Sequence, residues 1–181
     1  VEATLSCAVR PQDKLLIVAN GAYGKRMGDI ARRHGLNHVL VSLKETAPVT
    51  PEAVRRALEE HPDITHLAMV HCETTTGILN PVEAVARAIR GRGLTFIVDA
   101  MSSFGGIPID IRKLGIDFLV SSANKCIQGV PGFGFVIARR SFLSRCEGVS
   151  RSLSLDLYDQ WAEMEKGHGK WGFTSPTHVV R

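Results

Sequence analysis

The sequence predicts an α/β fold: a three-layer αβα arrangement around a mostly parallel sheet whose last strand is antiparallel. Three observations predict it. Short apolar runs rich in β-branched residues alternate with amphipathic segments from Leu15 to Ala100. Several of those runs are apolar on both faces, as strands covered on both faces must be. The last connection, Asn124 to Phe133, is a Gly/Pro loop, far shorter than the dozen or so residues a parallel crossover takes, so the strand it leads into runs back against its neighbour.

Six segments read as strands: Leu15 to Asn20, His38 to Leu43, His66 to Glu73, Leu94 to Ala100, Asp117 to Asn124 and Phe133 to Arg139. Between the first four lie three helical patterns. Tyr23 to His34 is the first. Pro51 to His61 is the second, with Thr50 as its cap and Pro at the first helical position, where its missing N–H costs nothing. Pro81 to Arg90 is the third, with Asn80 read as cap and Gly91 as stop. Beyond Arg140 the pattern weakens. Ser141 to Glu147 reads as a short helix, Ser150 to Ser154 as a polar loop, Asp156 to Lys166 as a helix capped by Asp156, and Gly167 to His178 as irregular chain. The ends read as cut ends of a longer protein, since no initiator Met is present and the chain stops just after Ser175-Pro176.

Composition narrows the functional classes. The 181 residues are 44% hydrophobic and 22% charged, ordinary for a globular domain and unlike a disordered chain. Twenty-two Lys and Arg against 18 Asp and Glu give a net charge of +4, too mild and too dispersed to point to nucleic acid. No apolar run approaches the roughly 20 residues that span a bilayer, so no membrane partner is expected. No basic segment followed by an apolar stretch opens the chain, so no signal peptide is visible. The four cysteines, Cys7, Cys72, Cys126 and Cys146, form no CxxC pair and read as free thiols of a cytoplasmic protein. No metal site is expected: no Cys or His falls at finger-like spacing, and His66 and His71 alternate to opposite faces of a strand.

Ligands of an open parallel sheet bind beyond the carboxyl ends of its strands. There the chain places Asn20-Gly21-Ala22-Tyr23-Gly24, Glu73-Thr74-Thr75-Thr76-Gly77, Asp99, and Ser121, Ser122, Asn124 and Lys125. A carboxylate and a lysine buried on neighbouring strand ends are costly unless they are paired or hold a ligand. Two readings of Asp99 are open from the residues alone: a loop cap through Ser102 or Ser103, or a fixed negative charge for a cationic ligand atom. Lys125 is either a solvated surface residue or a desolvated amine of depressed pKa, able to act as a nucleophile toward a carbonyl. An acid that pairs a pyridinium nitrogen, with a lysine that captures an aldehyde, is the pattern of pyridoxal phosphate enzymes.

The runs Asp99-Ala100-Met101-Ser102-Ser103-Phe104-Gly105-Gly106, Ser121-Ser122-Ala123-Asn124-Lys125-Cys126-Ile127-Gln128-Gly129 and Glu73-Thr74-Thr75-Thr76-Gly77 resemble those of the class V aminotransferases. The segments Ser150 to Tyr158 and His168 to His178 resemble the members that act on 2-aminoethylphosphonate and pyruvate. The resemblance covers essentially the whole chain. It implies a large domain of the pyridoxal phosphate-dependent transferase fold over residues 1–148, and an irregular segment, 149–181, leading toward a subunit interface and a small domain. It implies that Lys125 carries pyridoxal 5'-phosphate and later moves a proton as acid and base. Asp99 matches the residue that keeps the pyridine nitrogen protonated. Tyr23 matches the aromatic stacked on one ring face (the residues alone also allow plain core packing), and Met101 the residue under the other. Thr74 matches the hydroxyl near the phenolic oxygen, and Ser122 and Asn124 lie where phosphate-side contacts arise. Thr174 matches a residue that reaches the phosphate of the neighbouring subunit, which implies a homodimer with a shared site. His71 and Cys72 read as core residues, and Glu73 as either a site orienter or a loop cap.

The reaction so implied gives phosphonoacetaldehyde and L-alanine. Two parts of the family pattern fall outside the chain: the Gly-Ser-Gly-Thr type phosphate loop and its strand, expected before Val1 beside the strand at Phe133, and the Arg-bearing small domain, expected after Arg181. The rival readings are an alanine– or serine–glyoxylate type aminotransferase of the same class, a catalytically inactive fragment, and a nucleotide-binding domain. Against the last, neither G-x-G-x-x-G nor G-x-x-x-x-G-K-[ST] occurs.

Overall fold

The structure, a computed structural model, describes residues 1–181. Its elements in chain order are α1 (Glu2–Ala8), β1 (Leu15–Ala19), α2 (Ala22–Arg33), β2 (His38–Ser42), α3 (Pro51–Glu60), β3 (His66–Val70), α4 (Val82–Ile89), β4 (Thr95–Asp99), α5 (Ile111–Leu114), β5 (Phe118–Ser122), β6 (Gly134–Ala138), α6 (Arg140–Leu143), a 3-10 turn at Ser144–Cys146, α7 (Leu157–Lys166) and α8 (Thr177–Val180). The six strands form one sheet in the order β2-β1-β3-β4-β5-β6. All pairs are parallel except β5–β6, where Phe118 faces Ala138 and Ser122 faces Gly134 in antiparallel register. The short Gly/Pro loop therefore turns the chain back as expected. No helix is long and apolar enough to cross a membrane.

Strand alternation divides the core in two. Leu16, Val18, Leu67, Met69, Phe96, Val98 and Leu119 face one side and pack with Val54, Ala57 and Leu58 of α3 and Val82, Val85, Ala86 and Ile89 of α4. Leu15, Ile17, Ala68, Val70, Ile97 and Phe118 face the other and pack with Leu5, Cys7 and Ala8 of α1 and Met27 and Ala31 of α2. All five residues of each central strand, β1, β3, β4 and β5, are buried. Each large apolar side chain so buried contributes about 1.5–3 kcal/mol. This is why those runs carry no polar alternation, whereas β2 and β6, at the edges, are only partly covered.

Local chemistry explains the helix ends. The Thr50 hydroxyl accepts the Ala53 N–H (3.2 Å) ahead of Pro51. The Asp156 carboxylate accepts from Tyr158 and Asp159 and starts α7, which packs on α1. Asn80 departs from expectation. The helix begins at Val82 after Pro81, with no side-chain cap, because the Asn80 amide is drawn into buried hydrogen bonds with Asn20, Val49 and Val70. The short helix α1 carries no sequence signal beyond Glu2 in its first turn and is held by packing on the sheet. The segment read as one helix from Ser141 divides into α6 and the 3-10 turn.

Candidate active site

Period-two alternation carries the face of Ile97 to Asp99, so the last residue of β4 points toward α1 and α2. Asp99 is 3% exposed. Its Oδ1 accepts the Met101 N–H at 2.9 Å. The cap reading is thus half right: the donor is Met101, while Ser103 hydrogen-bonds the His71 ring at 2.9 Å. Burial pushes the Asp99 carboxyl up from its usual range, against the Met101 N–H, and the Glu73 carboxylate adds to the rise.

Lys125 follows β5 by three residues and opens a tight turn, in which Gln128 N–H bonds the Lys125 carbonyl and Gly129 N–H bonds Ala123, both at 2.8 Å. The turn holds Gln128 at φ 63°, a left-handed conformation uncommon for a residue with a side chain. Lys125 itself is exposed. Of the two readings of Lys125 the structure has the exposed one: the chain leaves the sheet at Ser122, and the residue stands at the cavity rim.

Asp99 and Lys125 line one cavity of about 220 Å³, together with Tyr23, Thr74 and Met101. Val1, Arg26, Met27, Ile30 and Ser102 complete the lining. Five residues named from the sequence thus converge on one space. Tyr23, in the first turn of α2, packs partly on the core and partly lines the cavity. The Thr74 hydroxyl hydrogen-bonds Ser102. Three named residues lie outside the lining. Ser122 is buried and donates to the Asn124 side chain (3.1 Å), Asn124 is exposed, and Thr174 is exposed in the C-terminal segment. Arg26 was not singled out, and Ser102 only as a partner of Asp99 in a loop cap. The signal for Arg26 was its place three residues after Tyr23 on the same helix face, where its guanidinium lies 4.9 Å from the Tyr23 ring centre. His71 is buried as expected, whereas Cys72 is half-buried in a bridge to Leu79. No group of His, Cys, Asp and Glu side chains is arranged to hold a metal ion.

The donor set fits a flat heteroaromatic aldehyde such as pyridoxal phosphate. A buried carboxylate with a single protein hydrogen bond faces the cavity, a primary amine stands at its rim, and an aromatic ring and a thioether offer apolar surface. The volume lies below the ~300 Å³ of typical small-molecule pockets, which suits a compact ring.

Fold and cavity define an α/β domain whose strand ends bring an acid and an amine to a single ligand space. Residues 1–155 match the family model described as aminotransferase class-V, and the chain belongs to that family. It is 62% identical over all 181 residues to the 2-aminoethylphosphonate–pyruvate transaminase of Phocaeicola vulgatus, and 63% to that of Bacteroides fragilis. It covers 50% of each, so the chain spans about half the length of these curated relatives. Among solved structures, pyridoxamine–pyruvate aminotransferase from Mesorhizobium loti superposes with a TM-score of 0.89 at 26% identity, over 99% of this chain and 46% of the other.

Proposed function

We propose that the protein to which this chain belongs transfers the amino group of 2-aminoethylphosphonate to pyruvate, giving phosphonoacetaldehyde and L-alanine, with pyridoxal 5'-phosphate as cofactor. The observation that carries this reading is the convergence of Tyr23, Thr74, Asp99, Met101 and Lys125 on one cavity. The substrate pair rests on the relatives that share about three residues in five with the chain.

Bound pyridoxal phosphate supplies an electron sink for the pair left when the amino-bearing carbon loses its proton. The chain's residues supply the rest. Lys125 Nζ would hold the cofactor through its aldehyde and, once released, is placed to carry a proton as acid and base. The Asp99 oxygen that Met101 leaves free would hold the cofactor's ring nitrogen protonated. Its burial strengthens that interaction, because the low-dielectric surroundings screen it little. Tyr23 and Met101 would offer apolar surface to the faces of the ring, and the Thr74 hydroxyl would serve its phenolic oxygen. Ser122 and Asn124 serve the phosphate side. Thr174 would serve the phosphate of the partner subunit in a homodimer, and we place the enzyme in the cytoplasm. Residues 1–148 act as the cofactor-binding domain and 149–181 lead to the interface.

The test uses the full-length protein. Borohydride reduction of the cofactor-loaded protein should fix one cofactor mass on the peptide bearing Lys125, and Lys125→Ala should abolish it. Asp99→Ala should lower turnover of 2-aminoethylphosphonate by about two to three orders of magnitude. Normal turnover in either variant would falsify the assignment. Preference for serine with glyoxylate over 2-aminoethylphosphonate with pyruvate would move the substrate reading to the alternative within the class.

A further inference from the structure

We propose that Glu73 is a positioning residue: its buried carboxylate, locked between Gly21 and the first turn of α2, fixes Tyr23 in the wall of the cavity. The first steps of this inference rest on geometry alone, and only its consequence for the cofactor rests on the function proposed above.

Glu73 is completely buried, an unusual place for a carboxylate without an ion-pair partner. Its backbone is held by its own loop: its N–H donates to Ile78 (3.0 Å), and its carbonyl accepts from Gly77 (2.8 Å). The side chain then crosses to another element. One oxygen accepts the Tyr23 N–H at 3.2 Å and the other the Gly24 N–H at 3.4 Å, while the Thr75 hydroxyl donates to the first at 3.3 Å. The first N–H groups of a helix have no partner within it, and a side chain at the cap position usually serves them. Here the cap residue is Gly21, which has no side chain to offer. Glu73 supplies the missing acceptors from the loop after β3, and its negative charge suits the positive end of the helix.

Gly21 is glycine for space. Its φ of 177° is extended backbone that any residue adopts. A Cβ there would lie 2.3 Å from Glu73 Cγ and 2.5 Å from its Cδ. The carboxylate thus has one seat, against the Gly21 backbone, with both oxygens on α2. Because one of the two N–H groups belongs to Tyr23, the same lock sets where the Tyr23 ring enters the cavity. A helix cap that served stability alone would leave the ring's task unaffected when replaced by another acceptor.

The experiment compares Glu73→Ala and Glu73→Gln with the parent in the full-length protein. Without cofactor, amide exchange at Tyr23 and Gly24 should quicken about tenfold or more in Glu73→Ala, the effect of leaving a buried N–H unpaired, and less in Glu73→Gln, which keeps one acceptor oxygen. With cofactor, Glu73→Ala should weaken pyridoxal phosphate binding about tenfold and diminish the visible circular dichroism of the bound ring. In a Tyr23→Ala background the same change should weaken binding less than about twofold, because the two residues act as one unit. Gly21→Ala, which displaces the carboxylate without removing it, should reproduce the exchange result if Glu73→Ala fails to fold. Parent-like exchange in both Glu73→Ala and Gly21→Ala, or full multiplication of the Glu73 and Tyr23 effects, overturns the proposal. Quickened exchange in a protein whose parent does not bind pyridoxal phosphate supports the lock and overturns the cofactor reading instead.

Discussion

Asn20 and Asn80 hydrogen-bond to each other in both directions, each amide nitrogen donating to the other's oxygen at 2.9 Å. Both side chains are buried. Asn80 also accepts the Val49 N–H (2.8 Å) and donates to the Val70 carbonyl (2.9 Å), and Asn20 donates to Ala47 (2.9 Å). One amide pair therefore ties the ends of β1 and β3 to the loop before α3. Tyr23 and Glu73 emerge from those two strand ends.

Asn80→Ala is expected to lower the stability of the full-length protein by about 2–4 kcal/mol, since it strands several buried partners at once. The check is the urea midpoint beside that of Asn37→Ala, in a loop. Equal midpoints for the two would show that the network contributes nothing net.

Asp99 costs the cofactor-free protein stability. Burial raises its carboxyl above the unfolded value of about 3.9. As pH rises through the window between these two values, the unfolded chain releases its proton first, so stability falls across that window and stays lower above it. Asp99→Asn should therefore raise the Tm of the cofactor-free protein at pH 7, with the gain vanishing below about pH 3.9, while turnover collapses. A Tm for Asp99→Asn below that of the parent at pH 7 would contradict this account.

The histidines act in the opposite sense. Burial lowers both His66 and His71 beneath the free imidazole value of about 6.5. As pH falls below that value the unfolded chain takes up protons that the folded chain does not, so stability is lost with acidification through the window below pH ~6.5. Unfolding free energies measured between about pH 7.5 and 5.5 should decline with falling pH, and His71→Gln should flatten the slope. A level profile in the parent protein counts against neutral, buried imidazoles.

Gly24 lets α2 touch the sheet. A Cβ at this position would stand 2.6 Å from the Ala19 Cβ and 2.7 Å from its Cα, and neither a strand backbone nor a methyl group can swing away. Gly24→Ala should cost about 1–3 kcal/mol through the enforced shift and weaken cofactor binding through Tyr23, one residue away. Gly91→Ala, in a turn with open space at φ 80°, is the control for backbone effects. Comparable cofactor affinity in Gly24→Ala and the parent would mean that α2 accommodates the methyl without moving the ring.

Much of this was legible from residue order. The apolar runs read as strands because several carry apolar residues on both faces, and the shortness of the Asn124–Phe133 loop left the last strand only one direction. Asp99 stood out as a charge at the end of such a run, and Lys125 as an amine after a serine-rich one. Asn80 misled, because a helix cap and a buried bridging amide look alike in sequence and differ only in which partner lies nearby. Lys125 stayed open between surface and interior, since apolar sequence before it does not tell where the chain leaves the sheet.

By itself, then, the order of residues determined the layers and the strand directions and pointed to the acid and the amine that line one cavity, because burial and chain geometry act locally and leave a period. Tertiary structure alone decided that Glu73 caps a helix some fifty residues before it, that two asparagines bridge strand ends, and that the lysine stands at the rim. Those facts depend on contacts between segments far apart in the chain, and such contacts leave no periodic trace in either partner.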